Sequence, residues 1–109
     1  MRIEHVPFST TDWSSIAETE HPGETGAAYW RTKEQGNVRV RMVRYSPGYR
    51  ADHWCARGHI LLVLDGELTT ELQDGSVHTL TAGMTYEVAS DIAPHRSRTA
   101  AGATLFIVD

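Results

Sequence analysis

The chain has 109 residues, which suits one domain with a modest core, and its 40% hydrophobic and 22% charged residues are ordinary for a globular protein. A formal net charge of −4 argues against a nucleic-acid-binding surface, and the longest apolar run, residues 60–64, is too short to span a bilayer. The single cysteine, Cys55, excludes an intrachain disulfide. Together with the absence of a signal-like start, it predicts a cytoplasmic protein that is not bound to a membrane.

The first third of the sequence has little periodicity. Polar residues such as Asp12 can cap one short helical turn within residues 10–16, and Pro22 and Gly23 mark a loop. We therefore expect residues 1–37 to form an irregular or strand-like extension. Residues 38–109 are expected to form the core of a single domain that spans residues 1–109.

From residue 38 onward, alternating residues and turn dipeptides predict eight short strands and no long helix. The predicted strands are 38–44, 50–55, 59–64, 67–72, 77–80, 85–89, 95–99 and 104–108. Asp65-Gly66 and Asp74-Gly75 are typical of the turns between such strands. The pattern predicts an all-β, antiparallel sandwich or jelly roll.

The first predicted strand of this core carries two arginines on one face. Arg39 and Arg41 are two residues apart, so their side chains point the same way. That face either looks into the mouth of the barrel, where it can bind an anion, or forms a solvated or dimer-facing arginine ladder.

The segment His53-Trp-Cys55-Ala-Arg-Gly-His59 has the spacing of a metal site. On a strand, His53 and Cys55 project from the same face, and a turn over residues 56–58 can return His59 beside them. Imidazole nitrogen and thiolate sulfur are the donors that zinc and the later first-row metals prefer. The alternative is a metal-free polar cluster in which Cys55 is an inert buried thiol.

The spacing also resembles the two motifs of the cupin superfamily. The first motif corresponds to Gly48, His53, Cys55, His59 and Gly66, with Cys55 in place of a second histidine and His59 in place of a glutamate. In the second motif, Gly83 precedes Pro94-His95. The resemblance implies an antiparallel jelly roll of the double-stranded β-helix type, with His95 as the metal ligand from the second motif.

Over nearly the whole chain, the sequence resembles the small single-domain proteins called DHCW-motif cupins. The likeness rests on Asp52-His-Trp-Cys55, on the stretches 20–26 and 45–48, and on the ending Leu105-Phe-Ile-Val-Asp109. This family name describes a motif and no reaction. By analogy with small cupins, we expect a homodimer, which would also protect an exposed sheet edge.

The predicted metal ligands are therefore His53, Cys55, His59 and His95, a set suited to a divalent transition metal such as Zn, Ni or Fe(II). Three functions remain open at this level. The first is a metal-dependent oxygenase, isomerase or lyase that acts on a small organic acid. The second is a non-catalytic module that senses a metal, a small ligand or a redox state. The third function is that of a metal-free cupin that acts only through its surface. No catalytic residue is assigned.

Overall fold

A computed structural model describes all 109 residues and contains eight β-strands and one short 3-10 turn, Trp13–Ser15. The strands are β1 (Thr19–Pro22), β2 (Ala27–Gln35), β3 (Val38–Tyr45), β4 (His59–Leu72), β5 (Val77–Thr81), β6 (Thr85–Val88), β7 (His95–Arg98) and β8 (Ala103–Val108). All strand pairs are antiparallel, as the sequence predicted. The structure has no helix with the length and hydrophobicity of a membrane span.

The long strand β4 belongs to two sheets. Its first half pairs with β8 and β6, and this sheet continues through β3 and β2 to β1 at the edge. Its second half lies between β5 and β7 in the other sheet. The core lies between the sheets and contains Val43, Leu61 and Leu105 from one and Leu68 and Leu80 from the other. The site described below lies at one end of this interior.

The prediction of a turn at Asp65-Gly66 was wrong, because β4 runs through it. Val63 pairs with Leu105 and Asp65 with Thr104, so one extra residue forms a β-bulge in β4. Gly66 has φ +82°, and a Cβ there would lie 2.2 Å from the carbonyl oxygen of Gly102. Bulges bend a strand and increase its twist, which lets β4 pass from one sheet to the other without a loop.

The predicted strand 50–55 was also wrong. Only Arg50 and Cys55 form isolated bridges, to Arg98 and His95 of β7. The chain advances five residues from Arg50 to Cys55, whereas β7 advances only three from His95 to Arg98. The two extra residues are accommodated by a bend at Asp52 and His53. The period-two rule for side-chain direction does not hold across such a bend.

Residues 1–37 contribute two strands and an outer layer. Strand β2 pairs along its length with β3, and β1 forms the sheet edge. The segment before β1 crosses the outer face of β2, where the Lys33 ammonium donates to the Ser9 and Thr11 hydroxyls at 2.8 Å each. This layer packs on the chain's own sheet. It partly covers the apolar outer face of β3 and leaves the arginine face of β3 directed inward.

Candidate metal centre

Three of the four predicted ligands lie together. The donor atoms of Cys55, His59 and His95 all lie within 4.8 Å of one another. Cys55 and His95 are held opposite each other by two backbone hydrogen bonds, at 2.8 and 2.9 Å, and His59 opens β4. The rings of His59 and His95 meet edge to face with centroids 4.8 Å apart. Backbone pairing thus brings together residues that are 40 positions apart in the sequence.

His53 lies outside this cluster. Its side chain is 76% exposed, and its Nδ1 lies 2.6 Å from the Asp52 carboxylate. The bend at Asp52 and His53 explains this position, because it removes the alternation that would have aligned His53 with Cys55. His53 still lines the cavity that the cluster faces, together with the half-exposed Arg57. The more exposed His53 marks the mouth of the cavity.

Hydrogen bonds fix the orientation of both cluster histidines. Nδ1 of His95 donates to the carbonyl oxygen of Ala93 at 2.9 Å, because a carbonyl can only accept. Nε2 of His59 lies 2.8 Å from the hydroxyl of Tyr86. The other nitrogens, Nε2 of His95 and Nδ1 of His59, are buried and have no hydrogen-bond partner. Buried, unpartnered lone pairs beside a thiol fit a metal ion, which would satisfy them.

The protonation of the cluster also suits a metal. The contact with His95 holds the pKa of the Cys55 thiol below its usual value, although burial acts in the opposite direction. The same contact raises the pKa of His95. Burial, followed by the charge of His95, lowers the pKa of His59 to about 4. Thiolate and neutral imidazole are the forms that bind metals, so a metal would displace the protons of the Cys55 thiol and of a protonated His95.

The cluster opens into a cavity of about 260 Å³ between the sheets. Its apolar and aromatic walls come from Trp30, Val43, Tyr45, Leu61, Tyr86 and Ile107. At its other end, Arg39, Arg41 and Arg57 surround the carboxylate of Asp109, whose side chain is 1% exposed. This carboxylate lies 3.9 Å from Nδ1 of His59, so the two ends of the cavity adjoin.

Sequence reasoning did not single out Asp109 or Tyr86. Asp109 follows a strand whose alternate residues Ala103, Leu105 and Ile107 are buried, so the same period places its side chain inward. That signal was present in the sequence. The role of Tyr86 had no such signal, because it depends on the pairing of β6 with the start of β4.

Comparisons with known proteins identify the fold. No family model matches the chain, and no curated protein is significantly similar to it. Among solved structures, a predicted oxalate decarboxylase from Thermotoga maritima superposes with a TM-score of 0.75 at 14% identity, over 92% of this chain and 96% of that one. An RmlC-like cupin from Shewanella frigidimarina gives 0.72 at 16% identity, over 94% and 89% of the two chains. The fold is a cupin fold.

At these identities the cupin fold is shown and an activity is not. The predicted antiparallel jelly roll is confirmed, whereas the resemblance to DHCW-motif cupins in particular stays a prediction. A third cupin-fold neighbour, Fe(II)-HppE solved with the alternative substrate (S)-1-HPP, has a TM-score of 0.76 at 13% identity. The match covers 94% of this chain and 60% of that one. The cupin neighbours thus include an iron protein with a substrate, and the three donors here can hold a metal.

Proposed function

We propose that this cupin binds one divalent transition metal, Zn, Ni or Fe(II), through Cys55, His59 and His95. The observation that carries the proposal is the convergence of three donors, two of which present buried nitrogens without a partner. The thiol and imidazole donors disfavour Mg and Ca, which prefer oxygen. His53 stays a predicted fourth ligand at the mouth of the cavity.

We further propose that the metal acts on a small organic acid, as in a metal-dependent oxygenase, isomerase or lyase. With only three protein donors, an ion held by Cys55, His59 and His95 would take a further ligand from the adjoining cavity, which arginines line. A metal in this place supplies Lewis-acid or redox chemistry. The chain's own residues orient the ligands, since Ala93 fixes the tautomer of His95 and Tyr86 holds His59. Burial raises the pKa of the Tyr86 hydroxyl, which therefore stays protonated beside His59.

A non-catalytic sensor is the second candidate, and the state of Cys55 favours it. Its thiol has a lowered pKa and lies in the wall of an accessible cavity, the conditions for reversible oxidation. A closed four-ligand site with His53 included would favour a sensor, whereas three protein donors plus water would favour an enzyme.

We propose the cytoplasm as the location of the protein. A cysteine that serves as a metal ligand without a disulfide partner agrees with that reducing compartment.

Metal analysis of protein purified without a histidine tag tests the metal proposal. After reconstitution with Zn and gel filtration, we expect about one ion per chain in the wild type and in His78→Ala, because His78 lies in the exposed β5 hairpin. His95→Ala should lose most of the metal. Absence of metal from the wild type, or full retention in His95→Ala, would contradict the proposal.

We also propose a homodimer. Support comes from the exposed edge strand β1 and from exposed apolar side chains in the preceding segment, such as Ile3 at 54% and Phe8 at 98%. Light scattering at tens of micromolar protein should give about twice the 12.1 kDa chain mass. A mass equal to one chain would contradict it.

A further inference from the structure

The arginine end of the cavity carries more positive than negative charge. Arg39 donates two hydrogen bonds to the Asp109 carboxylate, from Nε and from Nη2, both at 2.8 Å. Nη2 of Arg41 and Nε of Arg57 reach the same carboxylate at 3.0 and 3.5 Å. Three guanidinium groups therefore share one carboxylate, which leaves a surplus of two positive charges, although the Arg57 side chain is half-exposed to water. Such a surplus is costly unless an anion offsets it.

No other aspartate or glutamate side chain offsets that surplus inside the cavity. The 17 residues that line it include neither aspartate nor glutamate. A fourth lining arginine, Arg96, is already paired with Glu71 at 2.7 Å. Glu34 faces Arg39 across the β2–β3 pair, but its side chain is exposed to water. The uncompensated charge therefore belongs to Arg39, Arg41 and Arg57.

Arg41 also has an unused donor. The residue is only 6% exposed, and its Nε is buried without a hydrogen-bond partner. Its guanidinium lies 4.3 Å from the ring centroid of Trp30, whose ring stacks on His21 at 3.7 Å. This stacking holds the guanidinium plane in place. A buried N–H without an acceptor is destabilising, and an anion that contacts the same guanidinium from the cavity that Arg41 lines would lessen the cost of its charge.

We propose that the cavity binds a small dicarboxylate, with one carboxylate on Arg41 and Arg57. The volume of about 260 Å³ equals roughly eight or nine water molecules at about 30 Å³ each, which suits a short acid. Val43, Leu61 and Ile107 supply an apolar wall for its carbon chain. The second carboxylate faces the Cys55, His59 and His95 cluster, and only this second contact rests on the proposed metal function.

Calorimetric titration of chelator-treated protein tests the arginine end without any metal. Succinate and butyrate have the same number of carbons and differ in one charged group, and inorganic phosphate tests for a site that takes any anion. At equal ionic strength we expect succinate and butyrate to bind stripped protein alike, each through one carboxylate, and at least about tenfold more tightly than phosphate, whereas zinc-loaded protein should favour succinate over butyrate by at least about tenfold. A preference for phosphate in stripped protein, or equal affinities for succinate and butyrate in zinc-loaded protein, would overturn the proposal.

Two variants of one strand provide the matched comparison. Arg41→Gln should weaken succinate binding by about tenfold or more, because it removes a buried charged donor. Arg44→Gln should change it by less than about twofold, since Arg44 is 53% exposed on the other face of β3 and pairs with Glu18. Equal effects of the two substitutions would overturn the assignment.

A third variant keeps the test decisive if Arg41→Gln does not fold, as judged by circular dichroism. The Arg57 side chain is 52% exposed, so Arg57→Gln should fold and bind succinate at least about threefold more weakly. Unchanged binding in Arg57→Gln would overturn the arginine subsite.

In zinc-loaded wild type, succinate should bind more tightly than in stripped protein, and no change would overturn the contact of the second carboxylate. If the wild type takes up no zinc, the metal proposal fails while the titration of stripped protein still decides the anion site.

Discussion

The two ends of the cavity solve the problem of burying polar groups in opposite ways. At the arginine end, charged side chains pair with each other, and Asp109 receives hydrogen bonds from Arg39 and Arg41. At the other end, His59 and His95 leave nitrogens unpartnered beside Cys55. Pairing with Asp109 gives the arginine end a structural role even though surplus positive charge remains there, whereas the lone pairs of the cluster end have no partner inside the chain. We therefore expect substitutions at the arginine end to affect folding most and those at the other end to affect metal binding.

The largest effect is expected for Asp109→Asn. This change removes the only negative charge among three arginines at a side chain that is 1% exposed. We expect the free energy of unfolding to fall by about 3–5 kcal/mol, the usual cost of breaking a buried ion pair. Asp65→Asn, at an exposed position of β4, should cost less than about 0.5 kcal/mol. Denaturant unfolding measures both, and a loss below about 1 kcal/mol for Asp109→Asn would remove the contrast between the two ends.

A second prediction concerns pH and the cluster end. The pKa of His59 is about 4 in the fold and near 6.5 in the unfolded chain, so protons bind more readily to the unfolded form. The contribution of His59 to stability is complete above about pH 6.5 and declines as the pH falls toward 4, by up to about 3 kcal/mol. The pKa of Asp109 is also lowered, because the arginines outweigh the effect of burial, which acts in the opposite direction. Protonation of Asp109 therefore causes a further loss of stability only at more acidic pH.

The pH dependence of stability in the wild type, compared with that in His59→Asn, isolates the contribution of His59. In metal-stripped samples, stability should depend less on pH between 4 and 6.5 in His59→Asn than in the wild type. His78→Asn should keep the wild-type slope, because His78 is exposed. Identical slopes in all three proteins would mean that His59 is not held neutral by burial.

A smaller effect is expected for Tyr86→Phe, which keeps the aromatic packing and removes the hydroxyl 2.8 Å from His59. Loss of a group that orients a ligand typically weakens metal affinity by about 10–100-fold. Tyr29→Phe is the control, since the Tyr29 hydroxyl bonds to Glu20 on β1, away from the cavity. Competition with a chromophoric chelator measures both affinities, and equal values would show that Tyr86 only fills space.

The sequence predicted the regular parts of the fold well. Strand β8, predicted at residues 104–108, is present and keeps the period of two, with Ala103, Leu105 and Ile107 buried in turn. Predictions were wrong where the chain departs from that period. The bulge at Gly66 and the bend at Asp52 and His53 depend on which strands pair with them, and the sequence does not state that pairing.

The candidate site was predictable to a similar degree. Cys55 and His59 followed from their spacing and His95 from the resemblance to cupins, and the structure places all three together. The alternation argument failed for His53, because the bend at Asp52 and His53 lies between it and Cys55. The arginine face of β3 was visible in the sequence, but its inward direction was not. It depends on the N-terminal segment, which lies over the outer face of the paired strands β2 and β3.

X-ray absorption at the Zn K-edge of the reconstituted protein tests the central claim most directly. We expect one sulfur scatterer at about 2.3 Å, from Cys55, and two imidazole nitrogens at about 2.0–2.1 Å. A remaining light scatterer at a similar distance would be water, a bound acid or His53. In Cys55→Ser the sulfur shell should disappear. A zinc spectrum without sulfur in the wild type, or with more than one sulfur per ion, would contradict a site built from Cys55, His59 and His95.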